Sequence, residues 1–233
     1  MPPEPHTNGR MPVLGLGAGG HAGVVIECLT LADRYAVVGL LDGAASELGP
    51  NRHGVPLLGG DEELPRLRAT GIVHAFIGVG TPRNTDPRIL LWGRLKELGF
   101  EVVSAVHPTA IVSSLATYGE GVTILARAVV NPQARLGQNV LINTGAIVEH
   151  DCQIGDHAHI ASGAVLAGGV QVERGAFVGA GACIRPGIVI GAGAVVGTGA
   201  VVVKNVAAGS VVVGNPARPM AKQKPLLSMR AAS

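Results

Sequence analysis

From Ile124 to Val202 every sixth residue is aliphatic: Ile124, Val130, Leu136, Ile142, Val148 and onward without a break to Val196 and Val202. Four residues after each stands a small or aliphatic one, as at Ala128, Ala134, Val140, Ala146, Cys152 and Ala158. Helices repeat about every 3.6 residues and simple strands every two, so neither accounts for this period. Period six over such a length specifies a solenoid of short strands, with three hexads forming a triangular coil of about 18 residues. Parallel pairing stacks such coils at about 4.8 Å. The third residue after each aliphatic one is often Gly, as at Gly145 and Gly163, or Asn/Asp, as at Asn139, Asp151 and Asn205. Those types tolerate the left-handed backbone of a tight corner. A narrow interior admits Val, Ile and Ala and little else, which explains an aromatic content of only 3%. Val112 already fits the period, but Tyr118 fills the next slot with the wrong chemistry, so the first coil is expected to be irregular. The span 106–207 supplies roughly five to six coils.

The preceding hundred residues follow another grammar. Pro12–Gly17, Val37–Leu41, Ala75–Val79 and Val102–Val106 read as strands, and Ala22–Ala32, Glu62–Ala69 and Asp86–Leu98 as helices. Strands alternating with helices imply a short parallel sheet, half of a dinucleotide-binding fold in size. The expected organisation is a disordered extension at 1–10, an α/β domain at 11–106, a β-helix at 107–214 and a tail at 215–233. The α/β domain would cap one end of the solenoid, whose exposed β edge otherwise promotes aggregation. The tail from Gly214 to Pro219 would leave the other end.

Net charge is +2 with both signs interspersed, which excludes the basic stripe of a nucleic-acid binder. No apolar run is long enough to span a membrane and no signal peptide opens the chain, so the expected compartment is the cytoplasm. Cys28, Cys152 and Cys183 form no pattern and read as buried, reduced thiols.

Two groups of residues carry chemistry. Gly15-Leu-Gly17-Ala-Gly-Gly20 matches G-x-G-x-x-G between a strand and a helix, and Asp42 ends the next strand. Such glycines let a phosphate approach amides at a helix N-terminus; the alternative is a tight turn without ligand. The domain is too small for NAD, so a nucleotide with a single base fits better. Asp42 would hold a base or ribose donor, or simply start the turn at Gly43. His21 would face phosphate or sugar. Gly80, Arg83 and Arg88 follow the third strand at the same sheet end, the two arginines as phosphate partners. In the solenoid, Glu149–His159 contains three of the chain's eight histidines. Asp151 beside His150 would favour the imidazolium and make the ring a better base. His150 and His159 are nine residues apart, half a coil, so they should lie on opposite sides of one prism and meet only across a symmetric oligomer. Cys152 is rejected as a nucleophile because it occupies a core-facing slot.

On Gly17-Ala-Gly-Gly-His21, Asp42, Gly78-Val-Gly80, Asn143-Thr144, Glu149-His150-Asp151, Ile154-Gly155 and Gly214-Asn-Pro-Ala-Arg218, the chain resembles the bacterial nucleotide-sugar N-acetyltransferases and their sialic-acid O-acetyltransferase relatives. The resemblance covers about 11–220. It implies a left-handed β-helix, a homotrimer with sites between subunits, and acetyl-CoA as cosubstrate without metal. It further implies His150 as general base supported by Asp151, and His159 beside the thioester. Coenzyme A would run along backbone near Gly168, Ala180 and Thr198. A UDP- or GDP-linked amino sugar would bind at Gly19, Gly20, His21, Asp42 and Gly80. The implied reaction is acetylation of an amine, at C4 of the sugar, by direct attack on the thioester. The competing readings are a sugar-hydroxyl O-acetyltransferase, a zinc hydratase resembling the γ-carbonic anhydrases, and a pure binding scaffold.

Overall fold

The structure, a computed structural model, describes residues 9–80 and 85–220. The expected extension at 1–10 lies largely outside these residues, as do Arg83 and the chain beyond Met220.

The N-terminal part runs β1 (Met11–Leu16), α1 (Gly20–Leu31), β2 (Tyr35–Leu41), α2 (Ala45–Leu48), β3 (Asn51–Arg52), β4 (Val55–Pro56), α3 (Leu64–Ala69), β5 (His74–Ile77), α4 (Asp86–Glu97) and β6 (Glu101–Val102). The parallel sheet has the order β2-β1-β5-β6. One core, with Val25, Leu29 and Phe76, lies under α1; a second, with Leu14, Ile77, Trp92 and Leu95, lies under α4. The strand expected at 102–106 is divided. Val103 N–H still donates to Ala75 O in the α/β sheet, whereas Ala105 N–H donates to Val122 O in the first coil. Ala105–Val106 therefore opens the solenoid as β7.

Every solenoid strand after β7 up to Val201–Val202 is a two-residue ladder, and apart from the exposed Tyr118 its second member points inward. On the first face, Thr123–Ile124, Leu141–Ile142, His159–Ile160, Phe177–Val178 and Val195–Val196 stack in parallel. The second face carries Ile111–Val112, Val129–Val130, Ile147–Val148, Val165–Leu166, Cys183–Ile184 and Val201–Val202; the third runs from Thr117–Tyr118 to Val189–Ile190. The inward residues form one continuous core with the alanines of each hexad and with Cys152, which is fully buried. This is the α/β domain and parallel β-solenoid expected from the period. Corners recur every six residues from Gly121 to Gly199 with positive φ, and Arg127, Gln133, Asn139, Asp151 and His157 take it as well as the glycines. Asn205 does not. Tyr118 is half exposed, consistent with an irregular first coil.

Two further expectations fail. Cys183 is exposed, because it is the outward member of its strand while Ile184 fills the core. The segment from Gly214 does not leave the solenoid. Arg218–Pro219 folds back antiparallel on Val211–Val213, and Ala217 N–H donates to Val201 O, which covers the last β edge.

One helix joins the two halves. α4 lies along a stack of corners one coil apart, at 121, 139, 157 and 175. Its N-cap Thr85 donates to Gly175 O at 2.8 Å. Arg88 donates to Asn139 Oδ1 at 2.8 Å. Trp92 meets the His157 ring edge-on at 5.9 Å and covers Gly121, where a Cβ would stand 2.5 Å from its Cζ3. Lys96 pairs with Glu120 at 2.8 Å. These four recur every three to four residues, one face of a helix. The helix pitch of about 5.4 Å runs close to the coil spacing of about 4.8 Å, so one face of the helix can follow the stack of corners. No described helix is long and apolar enough to cross a membrane.

Candidate functional site

The three glycines of the β1–α1 turn do different work. A Cβ on Gly15 would stand 2.4 Å from Phe76, so this glycine serves packing. Gly17 has φ +98° and lies against Val79, so it serves the turn. Gly20, with Gly19 before it, is exposed, and a Cβ at either would meet nothing within 4 Å. Space is therefore kept open at the start of α1, where unpaired amides point outward. Asp42 is occupied locally: Oδ2 accepts from Ala18 N–H at 2.8 Å and Oδ1 from Ala44 N–H at 3.0 Å. It fastens the glycine loop to the end of β2. The sequence left the loop 43–58 unplaced; it brings His53 Nε2 to 2.9 Å from Gly19 O and Arg52 beside Ala18 O. Both therefore border the glycine loop, and a His in the positive-φ turn before Gly54 was the available signal.

His21 starts α1 and touches Gly80, whose Cβ position is 3.5 Å from His21 Cβ. Its Nε2 is buried without a hydrogen-bond partner. Burial, with Arg88 nearby, pushes its pKa down to about 4. His159, on the first face, is buried too: it stands edge-on to Phe177 at 5.0 Å, and Asn143 Nδ2 reaches its Nε2 at 3.4 Å. Burial, then Arg88 and His21, lowers its pKa to about 3. Burial thus favours the neutral form of two imidazoles, one from each domain, with Arg88 near both. A neutral imidazole can donate one N–H to a developing oxyanion without carrying charge.

His150 lies elsewhere. It sits at the vertex between the second and third faces, opposite the first face and His159. The positive φ of Asp151, 61°, turns its carboxylate back so that Oδ2 stands 2.8 Å from His150 Nδ1. Both side chains are exposed. The ring rests over Gly168 one coil further on, where a Cβ would stand 2.6 Å from Cε1 and 2.7 Å from Nε2. Gly168 thus makes room for the ring. Ala180 lies at a corner whose carbonyl accepts from Gly199 N–H, and Thr198 lies one coil beyond it.

Arg88 departs from its expected role as a surface phosphate ligand. It is buried, and its guanidinium donates to Ile77 O, Val79 O and Asn139 Oδ1. His157 is also structural: Asn139 Nδ2 donates to its Nδ1 at 2.9 Å. Burial, then Arg174, lowers its pKa. Among the described residues no three His, Cys, Asp or Glu side chains converge to hold a metal ion.

Residues 133–168 match the bacterial transferase hexapeptide family (six repeats), and residues 13–85 match the PglD N-terminal domain. The perosamine N-acetyltransferase PerB of Caulobacter crescentus, in complex with CoA and GDP-perosamine, is 38% identical, with a TM-score of 0.84 over 90% of this chain and 97% of its own. The acetyltransferase domain of PglB from Neisseria gonorrhoeae, in complex with acetyl coenzyme A, is 33% identical, with a TM-score of 0.83 over 91% of this chain and 100% of its own. WeeI from Acinetobacter baumannii is 27% identical, with a TM-score of 0.69 over 90% and 100%. No curated protein matches the chain significantly.

Proposed function

Because the chain belongs to the nucleotide-sugar N-acetyltransferases that join a PglD-type domain to hexapeptide coils, we propose that it acetylates the C4 amine of a nucleotide-linked amino sugar with acetyl-CoA. The observation that carries this reading is the His150–Asp151 pair, with Nδ1 held at 2.8 Å and the ring lodged over Gly168. His150 takes the proton from the amine as its nitrogen attacks the thioester carbonyl. The C–S bond then breaks and coenzyme A leaves as the thiolate, which takes up the proton that the His150 imidazolium gives back. Asp151 holds the imidazolium that forms. His159 or a solenoid N–H stabilises the oxyanion. The nucleotide diphosphate lies at Gly19 and Gly20, and the sugar satisfies the orphaned His21 Nε2. Coenzyme A follows the backbone near Gly168, Ala180 and Thr198. The cytoplasm supplies both substrates.

This chemistry needs two protomers. His150 and the His21–His159 pair lie on opposite sides of one prism, so each site joins His150 of one copy to the pair of the next. The outward residues of the second face, Ile111, Val129, Ile147, Val165, Cys183 and Val201, form an apolar stripe beside the His150 vertex. A closed homotrimer would cover it.

UDP- and GDP-linked 4-amino sugars, with their 4-hydroxy counterparts, are the test panel with acetyl-CoA. The 4-amino compounds should turn over, and His150→Ala should lower kcat by about 10²–10⁴. Turnover of the hydroxy sugars alone would make the protein an O-acetyltransferase. Full activity in folded His150→Ala would remove the base. If His150→Ala and His159→Ala chains regain nothing in verified mixed trimers, the shared site is wrong.

A further inference from the structure

Arg88 sits where the two domains meet. It is only 2% exposed. Nη1 donates to the carbonyls of Ile77 and Val79, at 3.0 and 3.1 Å, at the end of β5. Nη2 donates to Asn139 Oδ1 at 2.8 Å on the solenoid. Asn139 returns a bond to Arg88 O and passes another to His157. Among the described residues no carboxylate pairs with the guanidinium. Burying a cation against neutral acceptors alone is expensive, and apolar packing of similar volume generally stabilises a fold at least as well. Stability alone does not account for an arginine here.

We propose that Arg88 is a positioning residue for acetyl transfer: it fixes the end of β5, which backs His21 and leads to Gly80, onto Asn139, and so sets the spacing of His21 and His159. The proposal rests on the functional reading above. The rigid fork of the guanidinium places one nitrogen on two carbonyls of the α/β domain and the other on the Asn139 amide, a fixed geometry that a flexible ammonium does not impose. The segment it holds is the one against the start of α1, since Gly78 abuts Ala22 and Gly80 abuts His21. The cation also faces both rings. After burial itself, its charge is the next cause that lowers the pKa of His21 and of His159.

Three variants test this: Arg88→Met, Arg88→Lys and Asn139→Gly, the last suited to the φ of 52° at that corner. Arg88→Met should lower kcat by about 10²-fold through misplacement of the rings. It should raise KM for the sugar nucleotide about tenfold and leave KM for acetyl-CoA nearly unchanged. Arg88→Lys should recover part of the loss, and Asn139→Gly should shift the same constants less. Ring-proton titration without substrates should show His21 and His159 shifted up by about half a unit in Arg88→Met but not in Arg88→Lys. A folded Arg88→Met with wild-type constants and unchanged titration overturns the proposal. If Arg88→Met does not fold, wild-type kinetics in Asn139→Gly overturn it. If the wild-type protein acetylates no amino sugar, the functional reading fails, and the titration still decides whether Arg88 sets the two rings.

Discussion

Replacing Gly168 by Ala should disable the base proposed at His150 without disturbing the fold. Gly168 has no positive φ, so an L residue meets no backbone penalty there. The new Cβ would stand 2.6 Å from His150 Cε1 and 2.7 Å from Nε2. Ordinary contact needs about 3.5 Å, so the ring must retreat by about 1 Å. His150 is exposed and can swing outward, which relieves the clash at little cost in stability. The swing pulls Nδ1 from Asp151 and moves Nε2 off the line to the amine. A misplacement of about 1 Å costs on the order of 10²-fold in rate, or roughly 2.7 kcal/mol of barrier. Steady-state kinetics with both substrates varied, beside a melting curve, provide the assay. kcat should fall about 10²-fold, with both KM values and the melting temperature little changed. A folded variant with wild-type kcat refutes the reasoning. So does a rise in KM for acetyl-CoA at constant kcat, because the methyl group would then obstruct coenzyme rather than the base.

Gly20→Val should raise KM for the sugar nucleotide at unchanged acetyl-CoA affinity, since the free protein leaves open space around that Cβ position; loss of acetyl-CoA binding instead would mean the substrates are assigned to the wrong domains. Val178→Asp would put an unpaired carboxylate between Ile160 and Val196 in the coil interior, at a cost of several kcal/mol, and an unchanged melting temperature would contradict the register. Stability should also fall with acid. His21 and His159 have folded pKa values of about 4 and 3 against 6.5, so below pH 6.5 the unfolded chain binds more protons. Their contribution is complete above pH 6.5 and is lost as pH falls toward 4 for His21 and 3 for His159. Between pH 7 and 5 the loss is about 2 kcal/mol per histidine, roughly 4 together. Urea unfolding of His21→Gln/His159→Gln should show that much less pH dependence, and an identical slope would mean the rings are not held neutral by the fold.

The solenoid was legible because its code is local and repeated. One aliphatic residue in six sets which side chain enters the coil, and the same rule placed Cys152 in the core and His150 beside Asp151 at a corner. The half-coil separation of His150 from His159 followed from arithmetic alone. The period could not say which outward residues another domain covers. Cys183 was expected inside although its neighbour Ile184 held the inward slot, and attention to strand alternation would have found it. Asn139 and His157 occupy corners like any other until α4 reaches them. A histidine at a left-handed corner, where glycine costs nothing, was the one hint that His157 is held by something else. Arg88 read as a surface arginine because its burial depends on two carbonyls, at the end of β5 and just after it, and on an amide 51 residues away. Asp42 likewise marked the right strand end, but only the folded loop showed it bonded to Ala18 and Ala44. The fold follows from side-chain periodicity, which each segment carries in itself. The burial of Arg88, Asn139 and His157 follows from the docking of a helix on a stack of corners, a geometry that no single segment contains.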